Sequence, residues 1–131
     1  MSDTDLIKAA ASVRKSAYAP YSKFTVGAAL LGTNGDLFVG CNVENMSLGL
    51  TICAERAAVS AAICAGCRDF AAIAIVSDSK EPAVPCGACR QVLAEFSPSM
   101  KVLISTLAGE VEELTLTTLL PKPDQGIHLH V

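Results

Sequence analysis

Three cysteines in two short segments constrain this chain more than any other feature. Cys53-Ala54-Glu55 is followed, thirty residues on, by Pro85-Cys86-Gly87-Ala88-Cys89. The segments supply three potential thiolate ligands for one metal ion and a carboxylate, Glu55, close to the first of them. Three thiolates leave the fourth position of a tetrahedral zinc ion open, and an open position distinguishes a catalytic zinc site from a structural one. A carboxylate that is not a ligand can then move protons at a metal-bound water.

Both cysteine segments are predicted to begin helices. Cys86 and Cys89 are three residues apart, so they share one helix face and can bind the same ion. Helix N-termini carry partial positive charge, which favours thiolates there, and Cys53 starts its helix in the same way. Arg56 and Arg90 each directly follow a segment, where their charge would offset that of three thiolates around Zn²⁺. The alternative for each arginine is a solvated surface residue.

Glu55 is the candidate catalytic residue. A three-ligand zinc site with a non-ligand glutamate is the pattern of zinc-dependent deaminases. As a general acid and base, Glu55 would take a proton from zinc-bound water, pass it to a ring nitrogen, and then pass a proton to a leaving amine. The alternative is an exposed glutamate stabilised by the helix dipole. The presence of the two cysteine segments makes this alternative less favoured than the catalytic role.

A rival metal site uses a second pair, Cys64 and Cys67. Together with the later pair it makes a C-x₂-C-x₁₈-C-x₂-C spacing, typical of closed structural zinc sites, and would indicate a non-enzymatic zinc-binding protein. This site leaves Cys53 and Glu55 unexplained, and Cys64 falls at the end of an Ala-rich helix. We therefore interpret Cys64, Cys67 and also Cys41 as small core or interface residues.

Composition favours one oligomeric domain without a nucleic-acid partner. The 131 residues fit a single domain, residues 1–131. Because 51% of the residues are hydrophobic and a chain this small has a limited interior, some apolar surface is expected to face another subunit. The net charge of −3, without a basic run, argues against a polyanionic partner.

The compartment expected from the sequence is the cytoplasm. No run of about 18 apolar residues predicts a membrane span, and the polar, acidic N-terminus is not a signal peptide. In a reducing compartment, the six cysteines are better explained as metal ligands or buried residues than as disulfides.

The predicted order of elements is α-β-β-α-β-α-β-β-α. An Asn-Gly turn signal between the first two strands indicates an antiparallel hairpin, and alternating strands and helices in the middle imply parallel crossovers. The expected fold is therefore α/β, with a mixed sheet and helices on both faces. The first helix is expected to be capped by Ser2 or Thr4 and to stop before Pro20. The remaining strands are predicted at residues 25–31, 37–42, 71–77, 101–105 and 111–114, and the remaining helices at residues 52–65, 86–96 and 117–120.

The chain resembles the small homotetrameric cytidine deaminases along nearly its whole length. Several separate motifs match in the right order, which is more specific than the zinc motif alone. The resemblance implies a three-layer α/β/α sandwich with a mixed five-stranded sheet, and a homotetramer whose sites are shared between subunits. The matching motifs are Tyr18-Ala19-Pro20-Tyr21-Ser22-Lys23-Phe24, Val26-Gly27-Ala28-Ala29-Leu30, Gly40-Cys41-Asn42-Val43-Glu44-Asn45, Cys53-Ala54-Glu55-Arg56, Pro85-Cys86-Gly87-Ala88-Cys89-Arg90-Gln91 and Leu119-Leu120-Pro121.

The resemblance also implies a reaction. Zinc-bound hydroxide would attack C4 of cytosine, so that cytidine or deoxycytidine is converted to uridine or deoxyuridine and ammonia. In that scheme Cys53, Cys86 and Cys89 hold the zinc, and Glu55 is the proton shuttle.

Four further residues are implied to bind the substrate. Asn42 and Glu44 would hydrogen-bond the ribose hydroxyls, for which an amide and a carboxylate are natural partners. The alternative for this pair is a loop-capping asparagine and a solvated glutamate. Phe24 would pack against the pyrimidine ring, although a core phenylalanine would look identical in sequence. The Ala54 backbone would contact the base.

Two segments depart from the family pattern. After Glu44-Asn45 the family usually has a small residue and then an aromatic that helps to wall a neighbouring site, whereas this chain has Met46-Ser47-Leu48. The family also tends to carry a C-terminal Phe, and residues 122–126 contain no aromatic. These departures favour, as an alternative, a deaminase of another 4-aminopyrimidine, such as a modified cytosine nucleoside or a blasticidin-type compound. His128 and His130 are expected in a free tail or a subunit contact rather than as ligands.

Overall fold

A computed structural model of the chain describes residues 1–123 and confirms the predicted order of helices and strands. None of the helices in that range is long and apolar enough to cross a membrane. A short 3-10 helix, which the sequence did not predict, spans Leu48–Leu50. The strands are β1 (Val26–Gly32), β2 (Leu37–Cys41), β3 (Phe70–Ser77), β4 (Lys101–Thr106) and β5 (Val111–Thr115), and the helices are α1 (Asp3–Arg14), α2 (Ala54–Cys64), α3 (Gly87–Phe96) and α4 (Leu116–Leu119).

The five strands form one mixed sheet in the order β2-β1-β3-β4-β5. β1 and β2 make the predicted antiparallel hairpin, in which Ala29 lies opposite Val39. β3 and β4 are parallel and are connected through α3, as expected of a crossover. β1 and β3 are antiparallel, as are β4 and β5. The mixed five-stranded sheet is therefore confirmed.

Helices cover both faces of this sheet. On one face α1 contributes Leu6 and Ala10 to a buried cluster with residues of β1, β3 and β4. On the other face, α2 and α3 contribute Ala58 and Leu93 to a larger cluster. The apolar run of β3, which predicts burial on both faces, is buried at every position except Ala71. The arrangement is the expected three-layer sandwich.

The first helix ends earlier than the sequence predicted. The Ser2 hydroxyl caps its N-terminus as expected, but the helix stops at Arg14 and does not continue towards Pro20. Tyr18 instead donates its N–H to the Asn42 carbonyl at 2.9 Å. The Tyr18 N–H thus forms a tertiary hydrogen bond in place of a helical one. Local sequence preferences do not indicate such a long-range contact.

The second helix ends at the predicted glycine. Gly66 has a φ of +86° and donates its N–H to the Ile63 carbonyl, while the Cys67 N–H reaches the Ala62 carbonyl at 2.9 Å. These two bonds form a Schellman motif, for which glycine is the preferred residue.

Gly40 allows the start of α2 to lie directly on β2. A Cβ at this position would be 2.5 Å from the Ala54 carbonyl oxygen and 2.4 Å from the Ala58 amide nitrogen. Both neighbours are helix backbone, which cannot move without displacing the whole first turn. The position of Cys53 and Glu55 therefore depends on a missing side chain in the neighbouring strand.

Gly40→Ala should consequently lower both stability and zinc retention. We expect a loss of about 1–3 kcal/mol in the free energy of unfolding, as is typical of overpacking, and less than one zinc per chain. Thermal unfolding and metal analysis of the purified variant measure these effects. Gly49→Ala is the matched control, because a Cβ there meets nothing within 4 Å. Two variants with the same stability and zinc content would contradict this role for Gly40.

Candidate active site

The three predicted zinc ligands come together in the folded chain. The Sγ atoms of Cys53, Cys86 and Cys89 all lie within 4.8 Å of one another. Thiolates bound at about 2.3 Å to one tetrahedral zinc are roughly 3.8 Å apart, so the spacing fits a single ion. Within residues 1–123, no other group of three cysteine, histidine or acidic side chains gathers in this way.

Two helix N-termini deliver these sulfur atoms. Cys53 is the N-cap of α2, and Cys86 is the N-cap of α3, where its Sγ accepts the N–H of Cys89 at 3.4 Å. The helices begin at Ala54 and Gly87, slightly later than predicted, so two ligands flank the helices rather than belonging to them. The partial positive charge of both N-termini therefore acts on the sulfur cluster.

The protonation of the cluster favours a cation. A hydrogen bond with the Cys89 thiol, aided by the Arg56 guanidinium, lowers the pKa of the Cys53 thiol to about 5. The same hydrogen bond and burial raise the pKa of the Cys89 thiol. One thiolate is thus formed near neutral pH, and a divalent cation would displace the proton that Cys89 keeps. The donor set fits zinc, which binds thiolates in tetrahedral sites.

Arg56 lies beside this cluster, as predicted. Its Nη2 is 3.5 Å from the Cys53 Sγ and donates to the Thr51 carbonyl at 3.1 Å. The nearby sulfur raises the pKa of the guanidinium. Its Nε is buried and has no hydrogen-bond partner among the described residues.

The Arg90 side chain binds two backbone carbonyls. Its Nε donates to the Pro85 carbonyl at 2.8 Å, and its Nη1 donates to the Leu119 carbonyl at 3.0 Å. Its side chain is therefore engaged with backbone oxygens on either side of α3, so the alternative of a solvated surface residue is wrong. It ties the segment before Cys86 to α4.

Glu55 is buried in the first turn of α2, with 5% of its surface exposed. Burial is the main cause that raises the pKa of its carboxyl group, and the Cys53 thiolate raises it further. The alternative of an exposed glutamate stabilised by the helix dipole is therefore wrong. The carboxyl group is also not a member of the three-sulfur group.

A cavity of about 270 Å³ connects the cluster with the predicted substrate residues. Its volume is near the lower end of the roughly 300–1,000 Å³ of small-molecule sites. Every predicted site residue lines the cavity except Cys89 and Arg56. Those lining the cavity are Phe24, Asn42, Glu44, Cys53, Ala54, Glu55 and Cys86.

Several lining residues were missed in the sequence. Ser22 and Thr51 are polar, whereas Ile75 and Val84 extend the apolar wall. Ser22 falls inside a motif that resembles the family, which was a usable signal. Ile75 lies in a strand whose residues are all predicted to be buried, so nothing in the sequence indicates that this one lines a cavity.

Asn42 and Glu44 are both nearly buried and both bind the segment that carries Phe24. The Asn42 amide donates to the Phe24 carbonyl at 2.8 Å and accepts the Val26 N–H at 2.9 Å. The Glu44 carboxylate accepts N–H donors from Tyr21 and Ser22 and the Ser22 hydroxyl. The alternative of a solvated Glu44 is wrong, because only 9% of its surface is exposed. The loop-capping contact proposed as the alternative for Asn42 is present.

Phe24 is not a core residue. Its side chain is 40% exposed and lines the cavity. An exposed aromatic face at the wall of a cavity is available to a ring-shaped ligand.

The remaining cysteines lie away from the zinc ligands. Cys64 is exposed at the last residue of α2, at the opposite end of that helix from Cys53. Cys67 is buried, and a Cβ at Gly32 would approach its Sγ to 2.7 Å, so it packs as a small core residue. Cys41 is half-buried at the end of β2. His128 and His130 lie outside the described residues.

Comparisons with known proteins agree with this geometry. Residues 1–106 match the family described as the cytidine and deoxycytidylate deaminase zinc-binding region. A cytidine deaminase from Halalkalibacterium halodurans is 53% identical over 117 residues, which cover 88% of this chain and 89% of that protein. A crystal structure of cytidine deaminase from Burkholderia pseudomallei superposes with a TM-score of 0.90 at 49% identity, covering 93% of this chain and 98% of the other.

A blasticidin-S deaminase from Bacillus cereus is more distant, at 31% identity over 76% of each chain. The rival structural zinc site is also disfavoured, because Cys53 rather than Cys64 or Cys67 joins the later pair. The chain therefore belongs to the cytidine and deoxycytidylate deaminase family, with Cys53, Cys86 and Cys89 as its zinc-binding group.

Proposed function

We propose that this chain is a hydrolase that converts cytidine and deoxycytidine to uridine and deoxyuridine, with release of ammonia. The observation that carries the proposal is the buried carboxyl group of Glu55 in one small cavity with two of the zinc cysteines, Cys53 and Cys86. The similarity to proteins named cytidine deaminase supports the choice of substrate. When bound, zinc supplies a Lewis acid that activates water at neutral pH.

Glu55 is proposed to move the protons of the reaction. Because burial raises the pKa of its carboxyl group, Glu55 is a better proton acceptor and donor near neutral pH than an exposed glutamate. It takes a proton from the attacking water and passes it to the N3 ring nitrogen of cytosine. It then takes the remaining proton from the new hydroxyl group at C4 and passes it to the amine. The C4–N bond breaks, ammonia leaves, and the oxygen at C4 becomes the carbonyl of uridine.

The base is proposed to lie between Phe24 and the first turn of α2. The exposed face of the Phe24 ring offers an apolar platform for a pyrimidine. The first amides of a helix have no acceptor within the helix, so the Ala54 N–H is available to a carbonyl oxygen of the base. These two contacts would orient C4 towards Glu55 and the zinc group.

Asn42 and Glu44 are proposed to bind the sugar. Asn42 Nδ2 donates one hydrogen bond and retains a second hydrogen. Glu44 accepts three hydrogen bonds, and a carboxylate has about four acceptor positions, so one remains for a hydroxyl. A diol that reaches both groups would complete their hydrogen bonding.

Arg56 is proposed to offset the charge of the zinc group. Three thiolates around a divalent cation leave one net negative charge, and the Arg56 guanidinium lies 3.5 Å from the Cys53 sulfur. A negative cluster binds and activates water less effectively than a neutral one, so the positive charge of this arginine would assist the metal.

A deaminase of another 4-aminopyrimidine is the second candidate. Met46 and Leu48 stand where the family usually has a small residue and an aromatic, and they are 83% and 68% exposed. The relative named blasticidin-S deaminase is compatible with such a substrate. The much higher identity to cytidine deaminases favours the first candidate.

We also propose a cytoplasmic homotetramer with sites shared between subunits. Met46, Leu48 and Leu50 form an exposed apolar segment directly before Thr51 and Cys53 of the cavity. An exposed apolar surface of this kind is typical of an interface, and here it adjoins the site. The six cysteines are all free, which suits a reducing compartment.

Cys53→Ala should empty the zinc site. Removal of one of three ligands is expected to reduce the metal content well below one zinc per chain, as measured by metal analysis after gel filtration. Cys64→Ala is the matched control and should retain its zinc, because Cys64 lies at the far end of α2. Zinc loss from the Cys64 variant would instead support the closed four-cysteine site.

Glu55→Ala should keep the zinc and lose turnover. Loss of a general acid and base is expected to reduce kcat by at least about 10²–10⁴-fold, measured as ammonia release from cytidine. Glu95→Gln, at an exposed position of α3, is the control and should turn over normally. Normal turnover by the Glu55 variant would exclude the proton-shuttle role.

Leu48→Glu should weaken assembly and activity together. A charge at an apolar interface is expected to shift the sedimenting species from tetramer towards monomer and to lower specific activity in parallel. Ala108→Glu places the same charge in an exposed turn between β4 and β5 and should change neither. A fully active monomer would refute shared sites.

A further inference from the structure

Ser22 occupies a position between two residues of the proposed substrate site. Its hydroxyl donates to Glu44 Oε2 and accepts the N–H of Phe24 at 3.0 Å. Its own N–H donates to Glu44 Oε1 at 3.1 Å. A single side chain thus links the carboxylate proposed to bind the sugar with the backbone of the aromatic residue proposed to bind the base.

The hydrogen bonds from residues 21 and 22 determine where Glu44 can accept another donor. Glu44 is nearly buried. The ion pair found among residues 1–123 does not involve Glu44, so its carboxylate is stabilised by backbone N–H and hydroxyl donors. Two N–H groups occupy Oε1, and the Ser22 hydroxyl occupies one side of Oε2. The remaining acceptor position is therefore on Oε2. The Ser22 hydroxyl fixes the direction in which that position points.

The same hydroxyl also fixes Phe24. The Phe24 ring is too exposed to be held by core packing, so its position depends on its backbone. Ser22 binds the N–H of Phe24, and Asn42 binds its carbonyl. Between them, Lys23 has a φ of +62°, a conformation that residues with a side chain rarely adopt and that neighbouring hydrogen bonds must maintain.

We propose that Ser22 is a positioning residue that couples recognition of the sugar at Glu44 to packing of the base at Phe24. This inference rests on the proposed roles of Glu44 and Phe24. A sugar hydroxyl that engages Oε2 strengthens a hydrogen-bonded chain that ends at the Phe24 backbone. Sugar and base are therefore bound cooperatively rather than by two independent subsites.

The test measures the effect of Ser22→Ala with two substrates, cytidine and 2′,3′-dideoxycytidine, which lacks the 2′- and 3′-hydroxyls and keeps the 5′-hydroxyl. With cytidine, we expect KM to rise about 10-fold or more, as for loss of a hydrogen bond to a charged group, while kcat changes by less than about twofold. With dideoxycytidine the rise in KM should be at least about threefold smaller, because no hydroxyl engages Glu44. Ser22→Thr restores the hydroxyl and should recover most of the lost affinity.

Matched variants separate positioning from a general loss of structure. Ser60→Ala, at an exposed position of α2, should leave both KM values unchanged. Ser22→Cys keeps the size of the side chain with a weaker donor and replaces the alanine variant if that one fails to fold. Its KM should then rise above that of wild type for cytidine and rise less for dideoxycytidine. Equal rises in KM for both substrates, or no recovery in Ser22→Thr, would overturn the inference.

Glu44→Gln distinguishes failure of this inference from failure of the proposed function. If Glu44→Gln does not affect cytidine more than dideoxycytidine, the sugar-binding role of Glu44 is wrong. If Glu44→Gln discriminates between the substrates but Ser22→Ala does not, only the coupling through Ser22 is wrong. In the double variant, the effect of Ser22→Ala on KM should shrink, because the hydroxyl then acts on a neutral amide.

Discussion

The attraction between helix N-termini and thiolates organises this structure. Cys53 and Cys86 cap two helices that pack on the same face of the sheet, and Cys89 lies in the first turn of the second one. Both helices therefore direct partial positive charge at the sulfur cluster, and Arg56 adds a full charge. The first turn of α2 carries Glu55, so one metal ligand, Cys53, and the proposed proton carrier are positioned by the same helix. Gly40 in the strand beneath allows that element to approach the sheet.

The opposite wall of the cavity is built without a metal. Residues 21–26 and 42–44 are held together by side-chain hydrogen bonds from Asn42 and Glu44. The two side chains proposed to bind the sugar are therefore the ones that hold this loop structure together. This arrangement makes the position of Phe24 depend on the two residues that are proposed to bind the sugar. The metal wall is fixed by helices, whereas this wall is fixed by a small polar network.

The sequence predicted the elements well because their signals are local. The Asn-Gly turn, the apolar run of β3 and the glycine after α2 each specify one structure by their own chemistry. The early end of α1 could not be predicted, because Tyr18 leaves the helix to pair with Asn42, a distant residue. The zinc ligands were predictable from their spacing. The role of Arg90 and the contact of Ser22 with Glu44 required the tertiary structure, since nothing in the neighbouring residues indicates the partner.

The most direct test of this account is a crystal structure of the zinc-loaded protein with bound uridine, recorded on both sides of the zinc absorption edge. The account predicts one zinc at Cys53, Cys86 and Cys89 and a pyrimidine ring between Phe24 and Glu55. It also predicts the sugar hydroxyls at Asn42 and at Oε2 of Glu44. Zinc at Cys64 and Cys67, or a nucleoside bound outside this cavity, would contradict it.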